Sequence, residues 1–166
     1  MNEPKSKLRS PWRWVVFVLI AFGVWGLVFY QVSLPTTDEQ LDVWVGFPTG
    51  LNADIRNAVS QIAEPYGIKQ VNFGTYSPTD SMYQQAFAVK AQYTDIFILT
   101  KDEAQAIADT DKLFAVVDGA TEGLTNADGK IVAVPMVGEM YVAYSSVSKK
   151  DPALLRQIVD YLVSEK

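Results

Sequence analysis

In an open sheet whose strands alternate with helices, ligands bind beyond the carboxyl ends of the strands. Three stretches of this chain place chemistry-bearing residues at such ends: Phe47, Thr49 and Gly50; Thr75, Tyr76 and Ser77; and Thr100, Lys101 and Asp102. Pro135–Gly138 is a fourth candidate end. Two rings, several hydroxyls, one cation and one anion suit a neutral polyol or sugar, whereas a lone lysine is thin provision for phosphate. The same residue types also build turns and caps. Thr100 or Asp102 can cap a following helix, and Phe47 can cover the core.

Other chemistries lack their parts. The chain has no Cys and no His, which removes Ser–His and Cys–His nucleophiles and the usual zinc sites. Neither a G-x-x-x-x-G-K-[ST] loop nor a G-x-G-x-x-G turn is present. Asp109, Asp111, Asp118, Glu122 and Asp128 offer oxygens, but no D-x-[DN]-x-[DN]-G loop spaces them for calcium. They read as a solvated acidic loop. Asp102 with Glu139 is a carboxylate pair for glycoside hydrolysis only at the right separation. From Gln31 onward ten basic residues face eighteen acidic ones, a net charge of −8. That disfavours nucleic acid and anionic membrane surfaces, which select basic patches. Neither catalysis nor a cofactor is expected.

The elements that must position these residues follow from periodicity. Leu41–Phe47 (LDVWVGF) reads as a strand with Leu41, Val43 and Val45 on one face and Trp44 on the other, mid-strand and therefore core. Ile55, Ala58, Val59, Ile62 and Ala63 recur at helical spacing behind an Asn52 cap, and Pro65 and Gly67 end that helix. Ile68–Phe73 is a second strand. Met82, Tyr83, Ala86, Phe87 and Val89 form the apolar face of a helix capped by Thr79 or Asp80. Thr94–Thr100 is a third strand, apolar at every position from Ile96 to Leu99, the pattern of a parallel strand covered on both faces. A short helix over Asp102–Asp109, a strand over Leu113–Val117 and a long loop over Asp118–Gly129 follow. Lys130–Val134 and Met140–Ser145 are two further strands, and Asp151-Pro152 opens a last helix facing inward through Leu154, Leu155, Ile158, Val159 and Leu162. The expectation is an α/β domain, a mostly parallel sheet with helices on both faces and right-handed crossovers.

Trp14–Leu34 holds 21 residues without a formal charge, reaching roughly 30 Å as a helix, the thickness of a bilayer's hydrocarbon core. Trp12, Trp14 and Tyr30 sit near its ends, where such rings prefer the headgroup level. Lys5, Lys7, Arg9 and Arg13 precede it against Glu3 alone. The positive-inside rule then keeps residues 1–13 in the cytoplasm, with 14–34 spanning the membrane, 35–40 as linker and 41–166 as an extracytoplasmic domain. A cleaved signal peptide has a shorter apolar middle and a small-x-small site; the pairs Gln31/Ser33 and Val32/Leu34 fit one badly, so an uncleaved anchor is expected.

LDVWVGF after that segment, a helix ending in a PYGI turn, TDIFILTKDE and DGKIVAVPM together resemble the first lobe of extracellular solute-binding proteins, the receptors of ABC importers. The likeness spans roughly Leu41–Tyr144, with Pro152–Val163 similar to a helix that packs back on the lobe. It implies solute contacts at Phe47–Gly50 and Thr100–Asp102, the strand ends reached above. Members of that family close two lobes around the solute, while here Tyr144-Ser145-Ser146 leads almost at once into the last helix. Two functions stay open. One is a half-cleft for a small solute such as a sugar, completed by a second copy or a neighbouring protein. The other is an interaction domain that docks a membrane complex such as a permease.

Overall fold

Ile96, Phe97, Ile98 and Leu99 are each at most 1% exposed, so the strand they form has no solvent face. The rest of the fold supplies the two covers. The computed structural model describes residues 11–79, 81–110, 112–136 and 138–164. They form two units that are described separately, one ending at Pro35 and one beginning at Thr36.

The first unit is the helix α1 (Pro11–Ser33). Its stretch Trp14–Ser33 is long and apolar enough to cross a membrane. The basic residues up to Ser10 lie outside the described residues.

The second unit runs β1 (Gln40–Val45), α2 (Ala53–Ala63), β2 (Gln70–Thr75), α3 (Tyr83–Lys90), β3 (Ile96–Thr100), α4 (Lys101–Thr110), β4 (Leu124–Thr125), β5 (Ile131–Pro135), β6 (Met140–Tyr144) and α5 (Pro152–Ser164). The strand order is β2-β1-β3-β6-β5-β4. Side chains alternate across β1 and β3. Leu41, Val43, Val45, Ile96 and Ile98 meet α2 and α5 through Val59, Ala63, Leu155 and Ile158. Trp44, Phe97 and Leu99 meet α3 and α4 through Tyr83, Ala104 and Ala108. Helices thus cover both faces, as the apolar run predicts.

The sheet is mixed, which corrects the expectation of a mostly parallel one. β1 pairs in parallel with β2 and with β3. β6 is antiparallel to both β3 and β5, and β4 is antiparallel to β5. The cause is connection length. Only four residues join β5 to β6, and a parallel crossover needs a dozen or more. Two smaller expectations also change. Leu113–Val117 is no strand and contributes a single bridge, Phe114 to Ser145. The loop Asp118–Gly129 contains β4.

The helix ends follow local chemistry. Asn52 Oδ1 accepts the Asp54 N–H at 3.4 Å, and Asp151 Oδ1 accepts the Ala153 N–H at 2.8 Å. Thr100 caps α4: its Oγ1 accepts the Glu103 N–H at 3.4 Å, while its own N–H donates to Glu103 Oε2 at 3.3 Å. This is a reciprocal capping box. α3 has no side-chain cap at Met82, and Asp80, one of the two caps expected for it, lies outside the described residues. Ahead of the sheet, Thr37–Glu39 forms a 3₁₀ turn and β1 starts at Gln40.

One buried carboxylate ties three segments together. Asp95 is 5% exposed. Its Oδ2 accepts the Asp42 N–H at 3.0 Å, and its Oδ1 accepts the Ser148 hydroxyl. Its backbone N–H donates to Asp42 O at 2.9 Å and its carbonyl accepts the Ser145 N–H at 2.8 Å. Burial pushes the carboxyl above its ordinary value, against the opposing pull of the hydrogen bonds from Asp42 and Ser148.

Two measurements on residues 36–166 check this account by urea unfolding. Phe97→Asp places a charge in the doubly covered strand and should cost several kcal/mol, about enough to abolish cooperative unfolding. Lys101→Ala, at an exposed helix start, should stay within about 0.5 kcal/mol. For Asp95 the folded pKa lies above the unfolded one, so the folded state binds the extra proton. Its contribution is full below the unfolded value and is lost as pH rises through the folded value, from about pH 4 upward. Asp95→Asn should flatten that part of the stability–pH curve; an unchanged slope would refute the assignment.

Candidate functional site

The strand ends that the sequence singles out place their residues in different local settings. β1 ends at Val45, and the chain turns through Phe47–Gly50, where the Gly50 N–H donates to Phe47 O at 3.3 Å and Gly50 takes φ +64°. Phe47 is half-buried against the α2/α5 core, and Thr49 is exposed. A Cβ on Gly50 would stand 3.0 Å from an Arg56 guanidinium nitrogen and 3.2 Å from Thr75 Oγ1, so only glycine suits both the turn and the approach. Beyond β3, Thr100 Oγ1 donates to Glu103 Oε2 at 2.9 Å, so its hydroxyl already serves the cap. Lys101 and Asp102 are exposed in the first turn of α4.

Tyr76 departs from the others. Its N–H donates to Val45 O at 2.8 Å, but its ring turns back over the sheet and stacks on Trp44, with centroids 3.7 Å apart and planes 10° apart. The fit depends on Gly74, directly opposite Trp44 across the β1–β2 pair. A Cβ there would lie 2.6 Å from Tyr76 Cε2. Lys90 Nζ donates to the Tyr76 hydroxyl at 2.6 Å and stands 5.2 Å from the ring centroid. Both polar and aromatic surfaces of Tyr76 are therefore engaged within the protein.

Tyr76 opens onto a groove of about 590 Å³ along β2, lined also by Asp42, Arg56, Asn72, Lys90 and Tyr93. Of the candidate site residues taken from the sequence, Tyr76 alone lines it. Beside the groove the strands carry a polar ladder. Asn72 Nδ2 donates to Asp42 Oδ1 at 3.0 Å and to Gln40 Oε1 at 3.1 Å, and Gln70 Nε2 donates to Asn72 Oδ1 at 2.6 Å. The alternation of polar positions 40 and 42 with 70 and 72 was the available signal. It became legible only when register set Gln40 opposite Gln70 and Asp42 opposite Asn72.

A second polar chain, also missed, runs behind the rings. Trp44 Nε1–H donates to the Tyr83 hydroxyl at 3.4 Å. Tyr83 is hydrogen-bonded to Glu103, and burial, then that carboxylate, pushes its phenol above the ordinary range. A phenol held protonated this way is a positioning group and no base. Glu139 stands in the β5–β6 turn with φ +67°. Among the described residues no group of three or more His, Cys, Asp and Glu side chains is placed to hold a metal ion. No family model matches the chain, nor does any curated protein or solved structure.

Trp44 is the one tryptophan of residues 36–166, so its emission reports on the stack. Tyr76→Ala should red-shift that emission and raise acrylamide quenching by uncovering the indole. Gly74→Ala should do the same, because the new methyl displaces Tyr76, at about 1–3 kcal/mol in stability. Emission unchanged in both would refute the stacked arrangement.

Proposed function

We propose that this chain is a membrane-anchored, non-catalytic binding domain that acts outside the membrane by docking a protein partner. Its anchor is α1, and its domain keeps a single-lobe form like that of solute-binding proteins. The observation that carries the reading is the surface beside the groove. Val89 and Tyr93, four residues apart at the end of α3 and in the turn after it, are 63% and 69% exposed, and Met82, seven residues before Val89 at the start of α3, is 58% exposed. Large apolar side chains in one stripe on a domain of net charge −8 favour contact with another protein. The groove next to them is a poor solute trap. Tyr76 already stacks on Trp44, and the groove lies open on one side, so a small ligand keeps much of its surface wet.

A second reading retains some support. The groove volume falls within the range of small-molecule sites, about 300–1,000 Å³, and Asp42, Asn72 and Lys90 could orient a sugar-like solute for an ABC-importer-type system. Two assays separate the readings. Calorimetry of residues 36–166 against sugars and amino acids should find nothing tighter than about millimolar, since a few exposed hydrogen bonds contribute only about 1 kcal/mol each. Benzoylphenylalanine at position 93 of the full chain in cells should give a discrete ultraviolet cross-link to a membrane protein, and the same probe at exposed Thr121 should give none. Micromolar solute binding to a monomer without the cross-link would replace docking by solute capture.

A further inference from the structure

The two edges of the sheet are built differently. β4 is two residues long, and its pairing register shifts between Leu124 and Thr125. Short, irregular edges of this kind resist pairing with another chain. β2 is six residues long, QVNFGT, with no charge and no proline, and it pairs with β1 in unbroken register. Among the described residues no strand covers its outer side. An unguarded edge of this length is a template for strand addition.

The groove says what kind of strand. It runs along β2 and is flanked by Arg56 from α2 on one sheet face and Lys90 from α3 on the other. Arg56 lies 5.5 Å from the Phe73 ring centroid, and its Nε is buried without a hydrogen-bond partner. Lys90 spends one donor on the Tyr76 hydroxyl, and an ammonium has three. Asp42 is the acid in the lining, and its carboxylate already accepts from Asn72. Two cations therefore meet one engaged acid, in a domain whose charge is otherwise strongly negative. Repulsion from the distant acids is screened beyond about 8 Å at physiological salt, so the groove's own charges decide. Side chains of an added strand alternate between the two faces. Consecutive residues of that strand would then reach Arg56 and Lys90.

We propose that β2 is a docking edge, taking as a seventh strand an extended segment of a partner protein with two adjacent acidic residues. This rests on the docking reading above and names its surface and the partner's chemistry. The test uses the full chain in detergent micelles and two fluorescein-labelled peptides, TVTEEVTV and TVTKKVTV. By anisotropy the glutamate peptide should bind about tenfold or more tightly than the lysine peptide, with Arg56→Gln and Lys90→Gln each weakening it about threefold. Hydrogen exchange should slow across residues 70–75 only when the glutamate peptide is present. Equal affinities, no binding of either peptide, or binding without protection of β2 would overturn the proposal. So would protection that rises with protein concentration alone, which would mark β2 as a contact between copies. If the edge fails while the cross-link from position 93 persists, docking stands on another surface; loss of both rejects both.

Discussion

Burial of β3 on both faces is the constraint from which the rest of the domain follows. A strand reading Ile-Phe-Ile-Leu must hide alternate side chains from water on opposite sides, and each such residue contributes about 1.5–3 kcal/mol when fully buried. One helix layer satisfies half of that demand. The other half requires a second layer, so α2 and α5 take Ile96 and Ile98 while α3 and α4 take Phe97 and Leu99. Once both faces are covered, chemistry is left to the rims and edges of the sheet.

That constraint explains how the groove arises. β1 and β2 are less completely covered than β3, and their first residues on the α3 side are polar, joined by Asn72 to Asp42 and Gln40. Further along the same face the sheet meets Trp44, whose indole needs a lid. Tyr76 provides it by folding back across Gly74. The ring that is nominally at a strand end becomes part of the wall of a groove half a strand away. Asp95 stabilises the opposite end of these strands, its carboxylate and backbone joining β1, β3 and the approach to α5.

Much of the layered architecture is legible in the sequence. Periods of two and of 3.6 residues marked β1, α2 and α5 because each has one physical environment per face, an unbroken apolar run marked β3, and Asn52, Thr100 and Asp151 act as caps because an oxygen there meets open N–H groups. Strand direction was less legible. The apolar run of β3 suggested parallel neighbours on every side, yet β6 runs antiparallel to it, and the four-residue turn before β6 makes β5 antiparallel to β6 in turn. β4 escaped notice because two residues carry no period.

By itself the sequence determined the apolar span of α1, the doubly buried centre of the sheet, the capped starts of α2, α4 and α5 and the absence of thiol and imidazole side chains, since each depends on residue type and local spacing alone. Only the tertiary structure decided that Tyr76 lies on Trp44, that Gln40, Asp42, Gln70 and Asn72 form one ladder, and that Arg56 and Lys90 flank the same edge. Across the strands and between the two helices, those residues stand thirty to thirty-four positions apart. The contacts exist because strand register and the order β2-β1-β3 bring those residues together, and no local pattern encodes either.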